Sequence, residues 1–447
     1  MSEPTFPEEM DDAARAGLAH ALFAEREAAN VPEASAAAPR AVEAIGVVGG
    51  GTMGAGIAVA ALRAGCRVGM VERDDAGVAR GRANVEAILE GLVARQRLSA
   101  GERDAALARF GGSADTASLR DADLVIEAAF EDMAVKQAVF AELDRVCRPG
   151  AILATNTSYL DVGAIAVGTS RPADVIGLHF FSPAHVMKLL EIVVPAQAGA
   201  DVVASAFALA KRLGKIPVRA GVCDGFIGNR MLAAYRQAAN VMMEDGASPY
   251  AIDAALRRFG FPIGPFQVYD LAGGDINWAM RKRQAATRDP HARYVQVADR
   301  LCERGWFGRK TGRGWYRYAP GWRAGTEDPE VLAIVESERV RAGVVPRTFD
   351  EEEIVRRCMA AMVNEGANIV HEGIALRPLD VDVVLLHGYG FPRHRGGPMH
   401  YGDAVGLAAV LADIRSYVRD DPLFWRPSPL LVRLAGQGRD FASLNQR

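Results

Sequence analysis

Residues 45–72 read IGVVGGGTMGAGIAVAALRAGCRVGMVE. A short apolar run leads into a glycine-rich turn, and an alanine-rich segment closed by Gly65 then leads into a second apolar run. Short apolar runs bounded by glycine predict buried strands, and the longer segment between them predicts a helix. The stretch therefore predicts a strand–turn–helix–strand unit of the kind that builds a parallel sheet.

The glycines in this turn have the spacing of a dinucleotide-binding motif. Gly49, Gly51 and Gly54 satisfy G-x-G-x-x-G, and Glu72 ends the second apolar run eighteen residues after Gly54. The first glycine makes the tight turn, the second lets backbone approach a pyrophosphate, and the third lets the helix pack closely on the strand. Glu72 would accept hydrogen bonds from ribose hydroxyls and would repel a 2'-phosphate, which favours NAD over NADP. The alternatives are a tight turn that binds nothing and, because Arg73 follows Glu72, a site for NADP.

The same alternation of apolar runs and helical segments continues to about residue 222. Residues 77–110 are charged and predict a helical excursion, whereas residues 121–132, 151–160, 175–181 and 188–194 carry further apolar runs. We therefore predict an α/β, Rossmann-like, doubly wound and mostly parallel sheet over residues 42–222. Ligands bind at the carboxyl ends of such strands. That rule groups the glycine turn with Glu131, Asn156, Thr157, Ser158 and His179.

Glu191 stands within the apolar run LLEIVV of residues 189–194. A lone charge is costly to bury, so a buried Glu191 requires a partner. His179, twelve residues earlier, is the candidate, and a carboxylate-oriented imidazole makes a general base near neutral pH. The same two residues also fit a surface carboxylate and a core histidine, so local sequence leaves both readings open.

After residue 222 the pattern becomes helical and contains an internal repeat. Two tandem all-α domains are predicted at residues 223–320 and 348–447, joined by a linker at 321–347. Asn229 aligns with Arg356, so we expect the second copy to be structural. Residues 1–41 predict an N-terminal helix over residues 8–30 and an Ala/Pro linker. A shift of 127 residues aligns Ile227, Arg230, Ala233, Ala234, Gly246 and Asp253 with Ile354, Arg357, Ala360, Ala361, Gly373 and Asp380.

Composition excludes several classes of partner. The net charge of −3 gives no electrostatic basis for binding nucleic acid or an anionic membrane. The five cysteines are scattered without a C-x-x-C pair, which indicates reduced thiols in an intracellular protein and no metal site. The acidic first dozen residues lack a secretory leader, and the final SLNQR is no recognised address tail, so we predict a cytoplasmic location.

Seven motifs together resemble those of the L-3-hydroxyacyl-CoA dehydrogenase family. The resemblance extends over about nine tenths of the chain. It is strongest to the dehydrogenase half of the peroxisomal-type bifunctional enzymes of fatty-acid β-oxidation, with their hydratase domain absent. The motifs are GVVGGGTMGAGIA (46–58), VIEAAFEDMAVK (125–136), ATNTSYL (154–160), GLHFFSPAHVMKLLEIV (177–193), GFIGNRML (225–232), FGRKTGRGWYRY (307–318) and GYGFPRHRGGPM (388–399).

This resemblance implies oxidation of an (S)-3-hydroxyacyl-CoA to the 3-oxoacyl-CoA with NAD. His179 would be the catalytic base and Glu191 its orienting carboxylate, while Ser158 and Asn229 would bond the reacting oxygen or order the substrate. Lys136 and Ser158 would also touch the acyl-CoA. The residues implied to hold NAD are Gly49, Gly51, Gly54, Glu72, Glu131, Lys136 and Lys310.

Other expectations concern assembly and rival activities. Single-copy relatives pair through their helical domain, and the second copy would supply that surface within one chain, so we predict a monomer. A hydratase or thiolase is a possible partner enzyme. The alternative activities are an NAD-dependent dehydrogenase of a small hydroxy acid on the same scaffold and a non-catalytic NAD-binding scaffold.

Overall fold

The computed structural model describes residues 10–321 and 324–446 and divides into two compact units. The sheet unit comprises Ala19–Arg230 and Glu372–Tyr389. The helical unit comprises the described residues up to Leu18, Met231–His371, and the described chain from Gly390 onward. A short segment of the second predicted helical copy therefore belongs to the sheet unit.

An eight-stranded sheet forms the centre of the sheet unit, in the order β3-β2-β1-β4-β5-β6-β7-β8. All neighbouring strands are parallel except β6 and β7, which are antiparallel. The prediction of a mostly parallel Rossmann-like sheet followed by a helical region is confirmed. The strands are β1 (Ala44–Val48), β2 (Arg67–Val71), β3 (Phe110–Ser113), β4 (Leu124–Glu127), β5 (Ile152–Thr155), β6 (Val175–Phe180), β7 (Leu189–Val193) and β8 (Ile216–Ala220).

Helices pack against this sheet, and their ends follow ordinary capping chemistry. Asp74 and Asp132 accept hydrogen bonds from backbone N–H groups three residues on, and Ser99 forms a reciprocal capping box with Glu102. The helices are α1 (Asp12–Glu27), whose later part lies in this unit, α2 (Pro32–Ser35), α3 (Thr52–Arg63), α4 (Asp75–Ala94), α5 (Ala100–Leu107), α6 (Met133–Val146), α7 (Val162–Ala166) and α8 (Ala200–Arg212).

The remaining helices follow β8. The predicted linker at 321–347 contains one of them, α14. No helix within residues 10–321 and 324–446 combines the length and apolar character needed to cross a membrane. These elements are α9 (Gly228–Glu244), α10 (Pro249–Phe259), α11 (Pro265–Ala272), α12 (Gly274–Gln284), α13 (Val297–Glu303), the short strands β9 (Tyr316–Arg317) and β10 (Thr326–Glu327), α14 (Pro329–Ala342), α15 (Glu351–His371), α16 (Pro378–Gly388), α17 (Pro398–Val405), α18 (Leu407–Tyr417) and α19 (Pro429–Gly436).

The internal repeat is visible as a shared anchoring device in the helical unit. The Asp270 carboxylate accepts the backbone N–H groups of Trp315 and Tyr316, both at 2.9 Å. Asp403, 133 residues later in the sequence, accepts the N–H groups of the consecutive residues 441 and 442 at 2.8 and 2.9 Å. A shift of 133 residues, which also matches Gly264-Pro265 and Gly273 with Gly397-Pro398 and Gly406, makes the two aspartates equivalent. Each copy therefore uses the equivalent aspartate to hold the chain that returns to it.

The N-terminal segment is anchored on α16 within the sheet unit. His20 Nε2 lies 2.8 Å from Asp382 Oδ2, and His387 Nε2 lies 2.6 Å from Glu25 Oε1. Arg377 donates to the carbonyl of residue 30 at 3.1 Å. The predicted helix over 8–30 corresponds to α1, and its first two residues lie outside the described part of the chain.

Candidate active site

The glycine turn joins β1 to α3 and is fixed by close backbone contacts. Gly49 has a φ of 98°, and a Cβ there would lie 2.8 Å from the Ala128 carbonyl oxygen. A Cβ on Gly54 would lie 1.8 Å from the Gly49 carbonyl oxygen. Any larger residue at position 49 or 54 would therefore force the turn and the helix apart.

Gly51 differs from these two glycines because, within the part of the chain that the structure describes, a Cβ at this position would meet no atom within 4 Å beyond its two chain neighbours. Gly51 is the N-cap of α3, and no side chain caps the helix there. The uncapped N–H groups and the positive end of the helix dipole suit a negatively charged group. The open space over Gly51 therefore fits the pyrophosphate of a dinucleotide.

Glu72 follows β2 and faces the same turn. Its Oε1 accepts the Gly50 N–H at 2.6 Å, and its Oε2 accepts the Arg73 N–H at 3.2 Å. The carboxylate therefore holds the glycine turn, and it lies where the motif places a ribose-binding acid.

His179 and Glu191 are brought together by the antiparallel register of β6 and β7. The two residues are direct cross-strand partners, so their side chains lie on the same face of the sheet. His179 Nδ1 lies 2.7 Å from Glu191 Oε2, and the two residues are 4% and 0% exposed. The residue spacing suggested the pair, and the strand pairing supplies its geometry.

The buried charge of Glu191 is compensated by three hydrogen-bond donors. Besides His179, the backbone N–H groups of Ile227 and Gly228 donate to Glu191 Oε1 at 3.2 and 2.9 Å. An ionised carboxylate only accepts hydrogen bonds, so His179 Nδ1 must carry a proton. In neutral imidazole this leaves the lone pair on Nε2, which is the arrangement of a general base.

Aromatic rings enclose the His179 imidazole. The Phe181 ring centroid lies 4.5 Å from that of His179, and the buried Phe226 ring lies 5.6 Å away in an edge-on arrangement. Phe226 has a φ of 50°, which is unusual for a residue other than glycine. The strained residue directly precedes the two N–H groups that bind Glu191, and such strain is concentrated at functional sites.

Asn229 and Ser158, which the sequence also implicated, lie next to each other. Asn229 Nδ2 donates to the Ser158 carbonyl oxygen at 3.4 Å. Tyr389 Oη donates to Asn229 Oδ1 at 2.9 Å, and the Tyr389 ring packs edge-on against Phe181. Tyr389 was missed by sequence reasoning, because it lies 160 residues from Asn229 in a copy interpreted as structural.

Glu131 and Lys136 form part of a second polar cluster beside the Ser158 turn. Glu131 Oε1 accepts from Thr157 Oγ1 at 2.6 Å and from the Ser158 N–H at 2.8 Å. The Lys136 ammonium is 1% exposed and lies 2.8 and 2.9 Å from the two carboxylate oxygens of Glu127, which is fully buried. It also lies 3.3 Å from Glu131 Oε2. Lys136 is therefore part of a buried ion-pair network, and its direct contact with cofactor or substrate stays a prediction.

Lys310 belongs to the helical unit, where its ammonium pairs with Asp275. Its predicted contact with the cofactor also stays a prediction. Among residues 10–321 and 324–446, no group of three or more His, Cys, Asp or Glu side chains is arranged to hold a metal ion.

The strands β1, β4, β5 and β6 run parallel, so their carboxyl ends lie on the same side of the sheet unit. The glycine turn after β1 and His179 near the end of β6 both lie at these carboxyl ends. A dinucleotide-binding turn and a buried His–Glu pair arranged as a general base, both at the carboxyl ends of parallel strands, define a nicotinamide-dependent dehydrogenase.

Comparison with known proteins gives the family. The NAD-binding domain of 3-hydroxyacyl-CoA dehydrogenase matches residues 44–223. The C-terminal domain of the same enzymes matches twice, at residues 225–318 and 354–440. The chain belongs to the 3-hydroxyacyl-CoA dehydrogenase family, and its cofactor is NAD.

Individual relatives agree with this assignment. The chain is 45% identical to the peroxisomal bifunctional enzyme of Danio rerio over 90% of its own length and 57% of that protein's length. It is similar to 3-hydroxybutyryl-CoA dehydrogenase from Escherichia coli, with a TM-score of 0.77, 29% identity, and coverage of 89% of this chain and 99% of that one. It also matches (S)-3-hydroxybutyryl-CoA dehydrogenase from Ralstonia eutropha, with a TM-score of 0.59, 36% identity, and coverage of 62% and 100%. The chain thus spans less than two thirds of the bifunctional relative.

The predicted cytoplasmic location is wrong against these comparisons. Curated relatives from zebrafish, human and Arabidopsis are named as peroxisomal proteins. The prediction rested on the interpretation of the first and last residues and on the scattered cysteines, and unpaired cysteines distinguish only a reducing from an oxidising compartment. Such an argument cannot separate the cytoplasm from another reducing compartment.

Proposed function

We propose that this chain oxidises (S)-3-hydroxyacyl-CoA to 3-oxoacyl-CoA with NAD in fatty-acid β-oxidation. The observation that carries the proposal is the buried His179–Glu191 pair, with its 2.7 Å contact, at the edge of the sheet that holds the glycine turn. A protonated Nδ1 leaves Nε2 available to take a hydroxyl proton.

In the proposed reaction, His179 Nε2 accepts the proton of the C3 hydroxyl as the C3–O bond gains double-bond character. Bound NAD supplies the acceptor for the hydride that leaves C3. Glu191 stabilises the imidazolium that forms, because its carboxylate stays within hydrogen-bond distance of Nδ1. The two backbone donors at Ile227 and Gly228 hold Glu191 in this position throughout.

Asn229 and Ser158 are proposed to bind the oxygen on C3. The Asn229 NH2 group already points toward the Ser158 backbone, and the Ser158 hydroxyl belongs to the same turn. Donors fixed before reaction stabilise the developing carbonyl without further reorganisation. Glu131 orders this turn through the Thr157 hydroxyl and the Ser158 N–H, and we assign to Lys136 the role of orienting Glu131.

The experiment that tests this proposal is NADH formation from 3-hydroxyacyl-CoAs of increasing chain length. The free 3-hydroxy acids and the (R)-thioesters serve as controls. We expect turnover with the (S)-thioesters and none with the free acids. Turnover of free acids with no gain from the CoA carrier would instead support a small hydroxy-acid dehydrogenase.

We further propose that residues 42–222 bind NAD and that residues 223–320 and 348–447 are two copies of one helical design. The double match of the C-terminal domain supports this division. Two copies in one chain provide internally the surface that a pair of single-copy chains would share, so we propose a monomer. Light scattering should give the mass of one chain, whereas twice that mass would contradict the proposal.

A further inference from the structure

We propose that Tyr389, from the second helical copy, is a positioning residue for the dehydrogenase reaction. It would fix the amide of Asn229 so that its NH2 group faces the oxygen on C3. The inference rests on the proposed function, since it assigns a supporting group to Asn229.

The orientation of the Asn229 amide follows from its two neighbours. The Ser158 carbonyl oxygen can only accept a hydrogen bond, so the amide atom 3.4 Å from it must be the nitrogen. Oδ1 then faces Tyr389, and the phenol donates to it at 2.9 Å. A flip of the amide would turn Oδ1 toward the Ser158 carbonyl oxygen and lose that bond, whereas the phenol can donate or accept and would keep a contact with either amide atom. The Ser158 carbonyl therefore sets the orientation of the amide, and the shorter bond from Tyr389 holds the amide in place from its other side.

Tyr389 is itself held by the groups that build the His179–Glu191 site. Its ring is edge-on to Phe181, with centroids 5.6 Å apart. It also covers Gly228, where an added Cβ would come within 2.6 Å of the ring. Gly228 donates its N–H to Glu191. Tyr389 thus packs against Phe181, whose ring contacts His179, and against Gly228, whose N–H binds Glu191.

The helix before Tyr389 is fixed on the sheet. At Gly388, the last residue of α16, an added Cβ would lie 2.7 Å from the Leu189 side chain of β7. His20 and Glu25 of the N-terminal helix bond Asp382 and His387 on α16. Tyr389 therefore directly follows a helix that is anchored both on the sheet and by the N-terminal helix, which suits a positioning residue.

The test is steady-state kinetics with 3-hydroxybutyryl-CoA for wild type, Tyr389→Phe, Asn229→Ala and the double variant. Tyr389→Phe keeps the ring and removes only the hydroxyl. We expect kcat to fall about tenfold with KM for NAD unchanged, because one hydrogen bond is worth about that factor. Adding Tyr389→Phe to Asn229→Ala should cause no further loss, because the phenol then has no amide to orient.

Tyr318→Phe is the matched control, since Tyr318 Oη also donates to a polar side chain, Asp270 at 2.9 Å, within the helical unit. It should lower the unfolding temperature and leave kcat unchanged. Wild-type kcat in Tyr389→Phe, or an equal loss in both backgrounds, would overturn the inference. Absence of NADH formation by wild type would overturn the proposed function and the inference with it, so the two failures are distinguishable.

A binding measurement without nucleotide provides an independent readout. Acetoacetyl-CoA carries the C3 oxygen and acetyl-CoA does not. Tyr389→Phe should narrow the preference of the protein for acetoacetyl-CoA over acetyl-CoA, as measured by titration calorimetry. An unchanged preference would count against the assignment.

Discussion

Substituting Glu191 by glutamine tests the proposed base directly, because it removes the charge while keeping the shape of the side chain. The backbone N–H groups of Ile227 and Gly228 both point at Oε1, so an amide must place its oxygen there. Its NH2 group would then face His179 Nδ1 across the present 2.7 Å contact. Two donors cannot face each other, so Nδ1 would have to accept and the proton would move to Nε2.

The expected loss follows from this change of tautomer. With Nε2 protonated, His179 cannot take the hydroxyl proton, and the loss of an equivalent carboxylate in a Ser-His-Asp triad lowers kcat about 10⁴-fold. We expect a reduction of roughly 10³- to 10⁴-fold in kcat for Glu191→Gln. The exchange of charge-assisted for neutral hydrogen bonds should lower the free energy of unfolding by only about 1–2 kcal/mol. The assay is NADH formation at saturating NAD, with NAD binding and thermal unfolding measured in parallel.

Asp270→Asn is the matched control, because Asp270 is also a buried carboxylate that accepts two backbone N–H groups. It should destabilise the helical unit and leave kcat close to that of wild type. If Glu191→Gln retained kcat within about threefold of wild type, the tautomer argument would be refuted, because proton transfer alone contributes at least about 10²-fold.

Three further predictions concern the ion-pair network, a titrating aspartate and the glycine turn. Lys136→Met should lower the free energy of unfolding by about 3–5 kcal/mol in chemical denaturation, because Glu127 would keep a buried, uncompensated charge; an unchanged stability with a raised KM would favour direct ligand contact instead. Burial raises the pKa of Asp253 to about 7, so the folded state binds this proton more tightly than the unfolded state does. The free energy of unfolding should therefore fall by up to about 4 kcal/mol as the pH rises from about 4 to 7. Asp253→Asn should flatten that part of the pH–stability curve, and a curve of unchanged slope would contradict the assignment. Gly51→Ala should weaken NAD binding with little change in the unfolding temperature, whereas Gly54→Ala should lower that temperature; equal unfolding temperatures for both variants would argue against the open space over Gly51.

The parts of this molecule that sequence predicted are those encoded by local pattern. The glycine spacing and the acid at position 72 predicted the turn after β1. The glycines are required for the tight turn and the close packing of the helix, and the acid is required for ribose binding, all within one local unit of the chain. The buried Glu191 likewise required a partner, and the structure pairs it with the predicted residue, His179. Composition and apolar pattern also predicted the N-terminal helix, the helix after the glycine turn, and the helical excursion over residues 77–110, which corresponds to α4 and α5.

The parts that sequence did not predict depend on pairing between distant segments. The antiparallel pairing of β7 with β6 is invisible in composition, since an apolar run is buried in either direction. β3 contains two glycines and β8 contains a proline and an arginine, so neither has a clear strand pattern. Tyr389 could have been suspected only from its place in the GYGFP motif, because nothing local links it to Asn229.

The composition of the sheet unit has a consequence for how the protein folds during synthesis. The unit includes Ala19–Arg230 but also Glu372–Tyr389, which the ribosome makes much later. The strands can pair as soon as residue 220 has emerged, yet α16 cannot dock on β7 until the intervening chain has been translated. A nascent chain therefore holds an assembled sheet whose surface on β7 and β8 that α16 will cover stays uncovered for that interval. A stop codon just before residue 372 would be expected to yield a protein that folds its sheet but lacks the last segment of the unit.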